Sequence, residues 1–168
     1  PVTEEVTGID LVREQLKIAN GDPLSISQDD VEIIGSSIEV RLYSEDPGND
    51  FLPVTGKLIA FDPCEEPLVR WDVGVESGSE ITPNFDPMLA KIISYGEDRI
   101  EAANKLALAL EKSHFGGLKT NRDYLIAILR SEEFLKGNTT TDFLNQANIK
   151  DEINLTKEEV LLLSLIHI

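Results

Sequence analysis

The chain has 168 residues, 41% of them hydrophobic and 27% charged, the proportions of a globular domain long enough to bury a core. Its formal net charge of −16 excludes general nucleic-acid binding, which needs a basic footprint. Cys64 is the single cysteine, which excludes an internal disulfide and any cysteine-based zinc site, and no apolar run approaches the roughly 18 residues of a membrane span. Against this acidic background, an anion site needs locally concentrated positive charge, which singles out Arg41, Arg70 and Lys91.

Thr7-Gly8-Ile9-Asp10 resembles a capping box, and Ile9, Val12, Leu16 and Ala19 follow at helical spacing, predicting one first helix stopped by Asn20-Gly21 and Pro23. From Ile38 to Pro47 the period becomes two. Ile38, Val40 and Leu42 turn inward, and Glu39, Arg41 and Tyr43 turn to the other face, with roughly 7 Å between neighbours on that face. A guanidinium fixed on a strand between an acid and a phenol is a positioned, permanently positive hydrogen-bond fork. By spacing alone, an ordinary solvated strand face looks the same.

Pro47-Gly48-Asn49-Asp50 predicts a turn, followed by a second strand at Lys57–Phe61 and an acidic loop from Pro63 to Pro67. Leu68–Val75 predicts a third strand, with Val69, Trp71, Val73 and Val75 on one face and Arg70 and Asp72 on the other. Met88–Tyr95 is nearly continuous in apolar residues, as a central strand covered on both faces should be, and Lys91 interrupts it. A helix from about Glu97 to Lys112 places Ile100, Ala103, Ala107 and Leu110 on one side. Asn121 is the expected cap of a further helix with Leu125, Ile128 and Leu129 inward. The order reads as an α+β fold with a mainly antiparallel β-sheet flanked by helices.

No glycine-rich phosphate loop, dinucleotide fingerprint or Gly-x-Ser-x-Gly turn is present, and His114 and His167 are unpaired. The wording of several separate stretches is nevertheless specific. These are Pro1 to Val12 with Gln15-Leu16 and Pro23-Leu24, Glu39-Val40-Arg41 with Glu45-Asp46-Pro47, Phe51-Leu52-Pro53 with Gly56-Lys57, Phe85-Asp86-Pro87-Met88 with Lys91, Lys119-Thr120-Asn121, and Thr141-x-Phe-Leu. In this order, over residues 1–146, they resemble the C-terminal domain of biotin carboxylase, in the form found in the biotin-containing subunit of acyl-CoA carboxylases such as the methylcrotonyl-, geranyl-, propionyl- or acetyl-CoA enzymes.

The resemblance implies a ligase that carboxylates biotin on a carrier domain with ATP and bicarbonate. An ATP-grasp half upstream of Pro1 would bind ATP, Mg and bicarbonate, and this domain would close over the biotin site. It implies that Arg41 is the catalytic cation and also faces bicarbonate, with Asp86 as an acid of the same biotin and bicarbonate pocket or a turn cap. It places Arg70 at a homodimer interface, with pairing to Asp72 as the alternative, and Thr141 and Asp142 near the nucleotide, although their side chains depart from the family's there. No metal ligand is assigned to this chain. The implied partners are the ATP-grasp half, the biotin carboxyl carrier domain and a carboxyltransferase subunit. The implied compartment is the cytoplasm, or the mitochondrial matrix in a eukaryote. By itself the chain is expected to be inactive. The alternative is a non-catalytic dimerisation or structural module of a larger ATP-grasp protein. Both ends read as cut, and residues 147–168 read as a linker or the start of a further segment. The apolar Val160–Ile168 either begins a packed helix or is foreign sequence.

Overall fold

A computed structural model describes residues 1–146; the expected extension over 147–168 lies outside the described residues. The centre of the fold is a three-stranded antiparallel sheet in the order β1 (Ser36–Tyr43), β8 (Met88–Gly96), β6 (Arg70–Val73). The apolar run at Met88–Tyr95 is therefore the central strand, as its composition requires. Leu89, Ala90, Ile92 and Ile93 are all 2% exposed or less.

Helix α3 (Arg99–Lys112) packs on the face that carries Ile38, Val40 and Leu42, and the Ser94 hydroxyl on that face donates to the Ala102 carbonyl at 2.8 Å. Asp98, at the helix N-cap, accepts from the Glu101 amide and satisfies one otherwise orphaned donor. Ala102, Ala103, Leu106, Ala107 and Leu110 are fully buried, whereas Ile100 faces outward, so the buried stripe is rotated slightly from the expected one.

Among the described residues three short two-stranded pairings frame this sheet: β2 (Glu45–Asp46) with β3 (Leu52–Pro53), β4 (Gly56–Lys57) with β7 (Glu80–Ile81), and β5 (Ala60–Asp62) with β9 (His114–Gly116). The single strand expected at Lys57–Phe61 is thus two. Leu58 is buried between them, while Ile59 donates its amide to the Gly116 carbonyl. Gly117 must follow: its φ is +100°, and a Cβ there would lie 2.7 Å from the Ile59 nitrogen. The third strand is shorter than expected. Leu68 is exposed, and Gly74 ends regular pairing.

The expected first helix is α2 (Leu11–Ala19), and a further short helix that the spacing did not predict, α1 (Val2–Thr7), precedes it. Gly8 closes α1 at φ +70°, and Asp10 caps α2 by accepting from the Arg13 amide, so Thr7-Gly8-Ile9-Asp10 is a junction and not a capping box. The remaining helices are α4 (Arg122–Arg130), α5 (Glu132–Leu135) and α6 (Phe143–Gln146).

Glu14 in α2 is a buried acid. It accepts from Lys17 Nζ at 2.7 Å and from both the hydroxyl and the amide of Ser25, fastening the loop after the helix. These bonds, led by Lys17, hold its pKa down at about 2. Because the folded value lies below the usual carboxylate value, the stabilisation is complete above about pH 4.5 and is lost as pH falls towards 2. We expect Glu14→Gln to lower the melting temperature at neutral pH, and the gap to wild type to close steadily between pH 4.5 and 2. Melts across that range check it; a gap independent of pH would contradict it.

Candidate active site at the β1 edge

The site is built on β1, whose register sets which side chains share its polar face. Arg41 pairs with Lys91 and Lys91 with Asp72, while Glu39 pairs with Ile93 and Ile93 with Arg70. Like charges directly opposite across a sheet repel, so Arg41 beside Lys91 requires acids on either side. Glu39 supplies one, accepting from Arg41 Nε at 3.2 Å, and Asp72 supplies the other at 3.4 Å from Lys91 Nζ. Glu39, with Tyr43 second, pushes the Arg41 pKa up, so the guanidinium is charged at every accessible pH. Its side chain remains 58% exposed.

Arg70 sits on the same face in a different setting. Its Nε donates to Asp72 at 2.9 Å, and Nη1 donates to Glu4 at 3.1 Å and Glu5 at 3.2 Å on α1. The pairing with Asp72 is therefore present, joined by two acids that the sequence did not connect to it. Asp72 is in turn held below the usual carboxylate range, first by Arg70 and then by Lys91.

Asp86 is exposed and caps its own turn, its Oδ1 accepting from the Met88 amide at 2.8 Å. The group it acts on electrostatically is Glu45, not Arg41. Burial first, and Asp86 second, push the Glu45 pKa up. The Pro87 carbonyl accepts from the Ser44 amide at 2.9 Å, which brings the Asp86-Pro87-Met88 turn against the end of β1.

Arg41, Tyr43 and Glu45 line a largely apolar groove of about 710 Å³ that runs to Phe134, Phe143 and Leu144. Thr141 and Asp142 are exposed beside it at the start of α6, and neither is in contact with Arg41. Phe51, in the left-handed region at φ 56°, packs its ring edge-on to Tyr124 with centroids 5.0 Å apart and forms part of the wall.

Asn121 was expected to cap α4, but its side chain does not. Its Nδ2 donates to the Arg41 carbonyl at 3.1 Å, and its Oδ1 accepts from the Tyr43 amide at 2.9 Å. The two partners lie some eighty residues earlier, so local sequence carries no signal for them. Only the presence of Asn121 among the family-like stretches marked it.

Among the described residues no cluster of three or more His, Cys, Asp or Glu is arranged to hold a metal ion, and no helix is long and apolar enough to cross a membrane.

The fold and the sequence together match one family. Residues 39–146 match the biotin carboxylase C-terminal domain, and residues 1–27 match the ATP-binding domain of the carbamoyl-phosphate synthase L chain. The chain is 46% identical over 146 residues to biotin carboxylase 2 of Bacillus subtilis, covering 87% of this chain and 33% of that one. It is 40% identical over 147 residues to the mitochondrial methylcrotonoyl-CoA carboxylase subunit alpha of Rattus norvegicus, covering 87% and 21%. Among solved structures, the biotin carboxylase subunit of a pyruvate carboxylase superposes with a TM-score of 0.86 at 37% identity, covering 92% of this chain and 34% of that one. The biotin carboxylase domain dimer of Hydrogenobacter thermophilus 2-oxoglutarate carboxylase, solved with MgADP, ADP and bicarbonate, gives 0.83 at 36% identity, covering 86% and 32%. The chain belongs to the biotin carboxylase C-terminal domain family. It spans between about a fifth and about a third of the length of these relatives.

The Glu45–Asp86 relation gives a direct test of the site's electrostatics. Asp86→Asn keeps an acceptor for the Met88 amide while removing the charge. It should lower the Glu45 titration midpoint without bringing it to the ordinary carboxylate value, because burial is the larger cause. A carbon-detected NMR titration of the Glu45 carboxyl reads this, and an unmoved midpoint would show that Asp86 does not act on it.

Proposed function

We propose that this chain is the part of a biotin carboxylase that closes over the biotin and bicarbonate pocket, within an acyl-CoA carboxylase, and that Arg41 is its catalytic cation. The observation carrying this reading is Arg41 itself: a charge fixed by a sheet, steadied by one acid, with most of its side chain open to the groove. Biotin supplies the ureido nitrogen that takes the carboxyl group. As that nitrogen loses its proton, negative charge develops on the ureido oxygen, and a donor already aimed there favours the transition state over the ground state. Arg41 carries such donors and needs no reorganisation, because the sheet has already oriented its backbone. Asp86, through Glu45, is proposed to set the negative charge at the end of the same pocket. Thr141 and Asp142 are proposed to lie on the nucleotide side.

ATP and Mg are assigned to an upstream ATP-grasp half, and bicarbonate to the boundary with it. Alone, this chain would not carry the reaction. The carrier domain and a carboxyltransferase subunit complete the proposed assembly. The Arg70 face is the proposed homodimer contact, and the proposed compartment is the cytoplasm or the mitochondrial matrix, the rat relative being mitochondrial.

The face of α2 supports the upstream partner. Val12 and Leu16 are about two-thirds exposed, at 65% and 67%, within the stretch that matches an ATP-binding domain. Apolar surface of this kind favours association. The isolated chain should bind the ATP-binding half of the Bacillus relative in sedimentation or calorimetry, and Leu16→Asp should weaken that binding at least tenfold (about 1.4 kcal/mol). No affinity between the two halves would count against the partner assignment.

The rival reading, a structural module, draws on the Glu39–Arg41 ion pair. In the complete enzyme, Arg41→Ala should slow biotin carboxylation by roughly 10²–10³-fold, the effect of losing one transition-state donor. Arg41→Lys should recover only part of the rate, because an ammonium lacks the planar fork. Stability should fall by only about 1 kcal/mol, since the Arg41 end of the pair lies in solvent although Glu39 is half-buried. Steady-state rates with melting temperatures decide between the two: normal turnover by the alanine variant, or loss only through unfolding, establishes the structural module.

A further inference from the structure

We propose that Asn121 is a positioning residue for Arg41, acting through the backbone of β1. The proposal rests on the catalytic reading of Arg41. Among the described residues β1 is an edge strand: β8 lies on one side of it, and no described strand pairs with it on the other. Arg41 is still in regular register with Lys91, but two residues further on the ladder becomes irregular: Leu42 pairs with Ala90 and Tyr43 with Met88, so Leu89 of β8 is the extra residue. Regular pairing is interrupted there, so the end of β1 just beyond Arg41 gains from a second anchor.

Asn121 provides that anchor from the open edge. Its Nδ2 donates to the Arg41 carbonyl at 3.1 Å, its Oδ1 accepts from the Tyr43 amide at 2.9 Å, and its own amide donates to the Tyr43 carbonyl at 3.1 Å. Three bonds from one residue thus span Leu42, next to the register shift, and occupy the positions a neighbouring strand would fill. Asn121 is 6% exposed, so both amide atoms are used away from competing water. Asparagine is suited to the task because its carboxamide presents one donor and one acceptor side by side, the same pair a peptide unit offers. Its place immediately before α4 makes the use more pointed. A residue at a helix N-cap ordinarily turns its side chain to the first-turn amides, and Asn121 turns to β1 instead.

The effect on chemistry follows from the reach of the arginine side chain. A small tilt of the β1 backbone at residue 41 is amplified along the side chain to the guanidinium. A misplacement of about 1 Å at a reacting centre can lower a rate by about 10²-fold. Asn121→Ala in the complete enzyme should therefore reduce kcat for biotin carboxylation by tenfold or more, while the KM for ATP stays within about twofold, since Arg41 does not set nucleotide binding.

The discriminating measurement is the pair of variants in combination, with melting temperatures recorded for each. If Asn121 works through Arg41, the double variant Arg41→Ala/Asn121→Ala should be no more than about twofold slower than Arg41→Ala alone, because the cation being positioned is already gone. If the two effects multiply, Asn121 acts independently of Arg41 and the proposal is overturned. It is also overturned if Asn121→Ala turns over within about twofold of wild type. Asn121→Asp keeps the acceptor for the Tyr43 amide and loses the donor to the Arg41 carbonyl. It should give a rate between wild type and the alanine variant, and it stands in if the alanine variant does not fold. Failure of both single variants to fold makes Asn121 a purely structural residue, which again overturns the proposal. Normal turnover by Arg41→Ala is a different failure, that of the catalytic reading beneath it.

Discussion

The register of β8 against its two neighbours is the constraint on which the site depends. A one-residue slip of β1 would turn Arg41, Glu39 and Tyr43 into the α3 interface and bring Ile38, Val40 and Leu42 out. What prevents the slip is burial. Leu42 and Ile92 are fully buried, Ile38 nearly so, and each such side chain favours the inward register by about 1.5–3 kcal/mol. In the Glu39–Arg41 pair on the other face the guanidinium is in solvent while Glu39 is half-buried, and such a partly solvated pair contributes about 1 kcal/mol. The apolar side of the strand therefore determines where the cation points, and the charges themselves contribute little to that choice. A site that carries a catalytic charge is best held this way, since its charge is then free to interact with an incoming anion.

The same balance explains what was legible in the sequence. Period two at Ile38–Tyr43, the apolar run at Met88–Tyr95 and the helix over α3 are patterns of burial, and burial is written locally. The resulting placement of Arg41 on an exposed strand face was legible from alternation alone. Helix α1 was harder, because the helical spacing starts only at Ile9, after Gly8, and the six residues of Val2–Thr7 bury no side chain that would mark a face. The true cap, Asp10, was in view but was read as the far half of a motif beginning at Thr7. Asn121 was not legible at all. A side chain that completes a strand edge some eighty residues away leaves no periodicity, and asparagine before a helix has a commoner local explanation.

Arg41 and Arg70 show why residue type and strand position are not sufficient to identify a functional cation. Both lie on the polar face of one sheet and both have an acid two residues away on the same strand. Arg70 also meets Glu4 and Glu5 from α1, which covers that end of the face, and its side chain is 39% exposed. Three carboxylates surround it, so an anion arriving there would meet net negative charge. Arg41 has one carboxylate, a phenol, and Lys91 directly across the ladder.

The difference traces to what covers each end of the sheet. α1 meets the Glu39–Ile93–Arg70 row, where Ile93 is 1% exposed and Glu4 and Glu5 reach Arg70. In the Arg41–Lys91–Asp72 row the Arg41 side chain is the exposed end, with two cations adjacent and one acid at the far end paired to Lys91. In a chain with a net charge of −16, this is where positive charge is both concentrated and accessible. Screening over about 8–10 Å at ordinary ionic strength keeps the distant surface acids from cancelling it. The acidic remainder of the molecule therefore does not count against an anionic substrate. It restricts where such a substrate can bind, and the open row of the sheet is the place that restriction leaves.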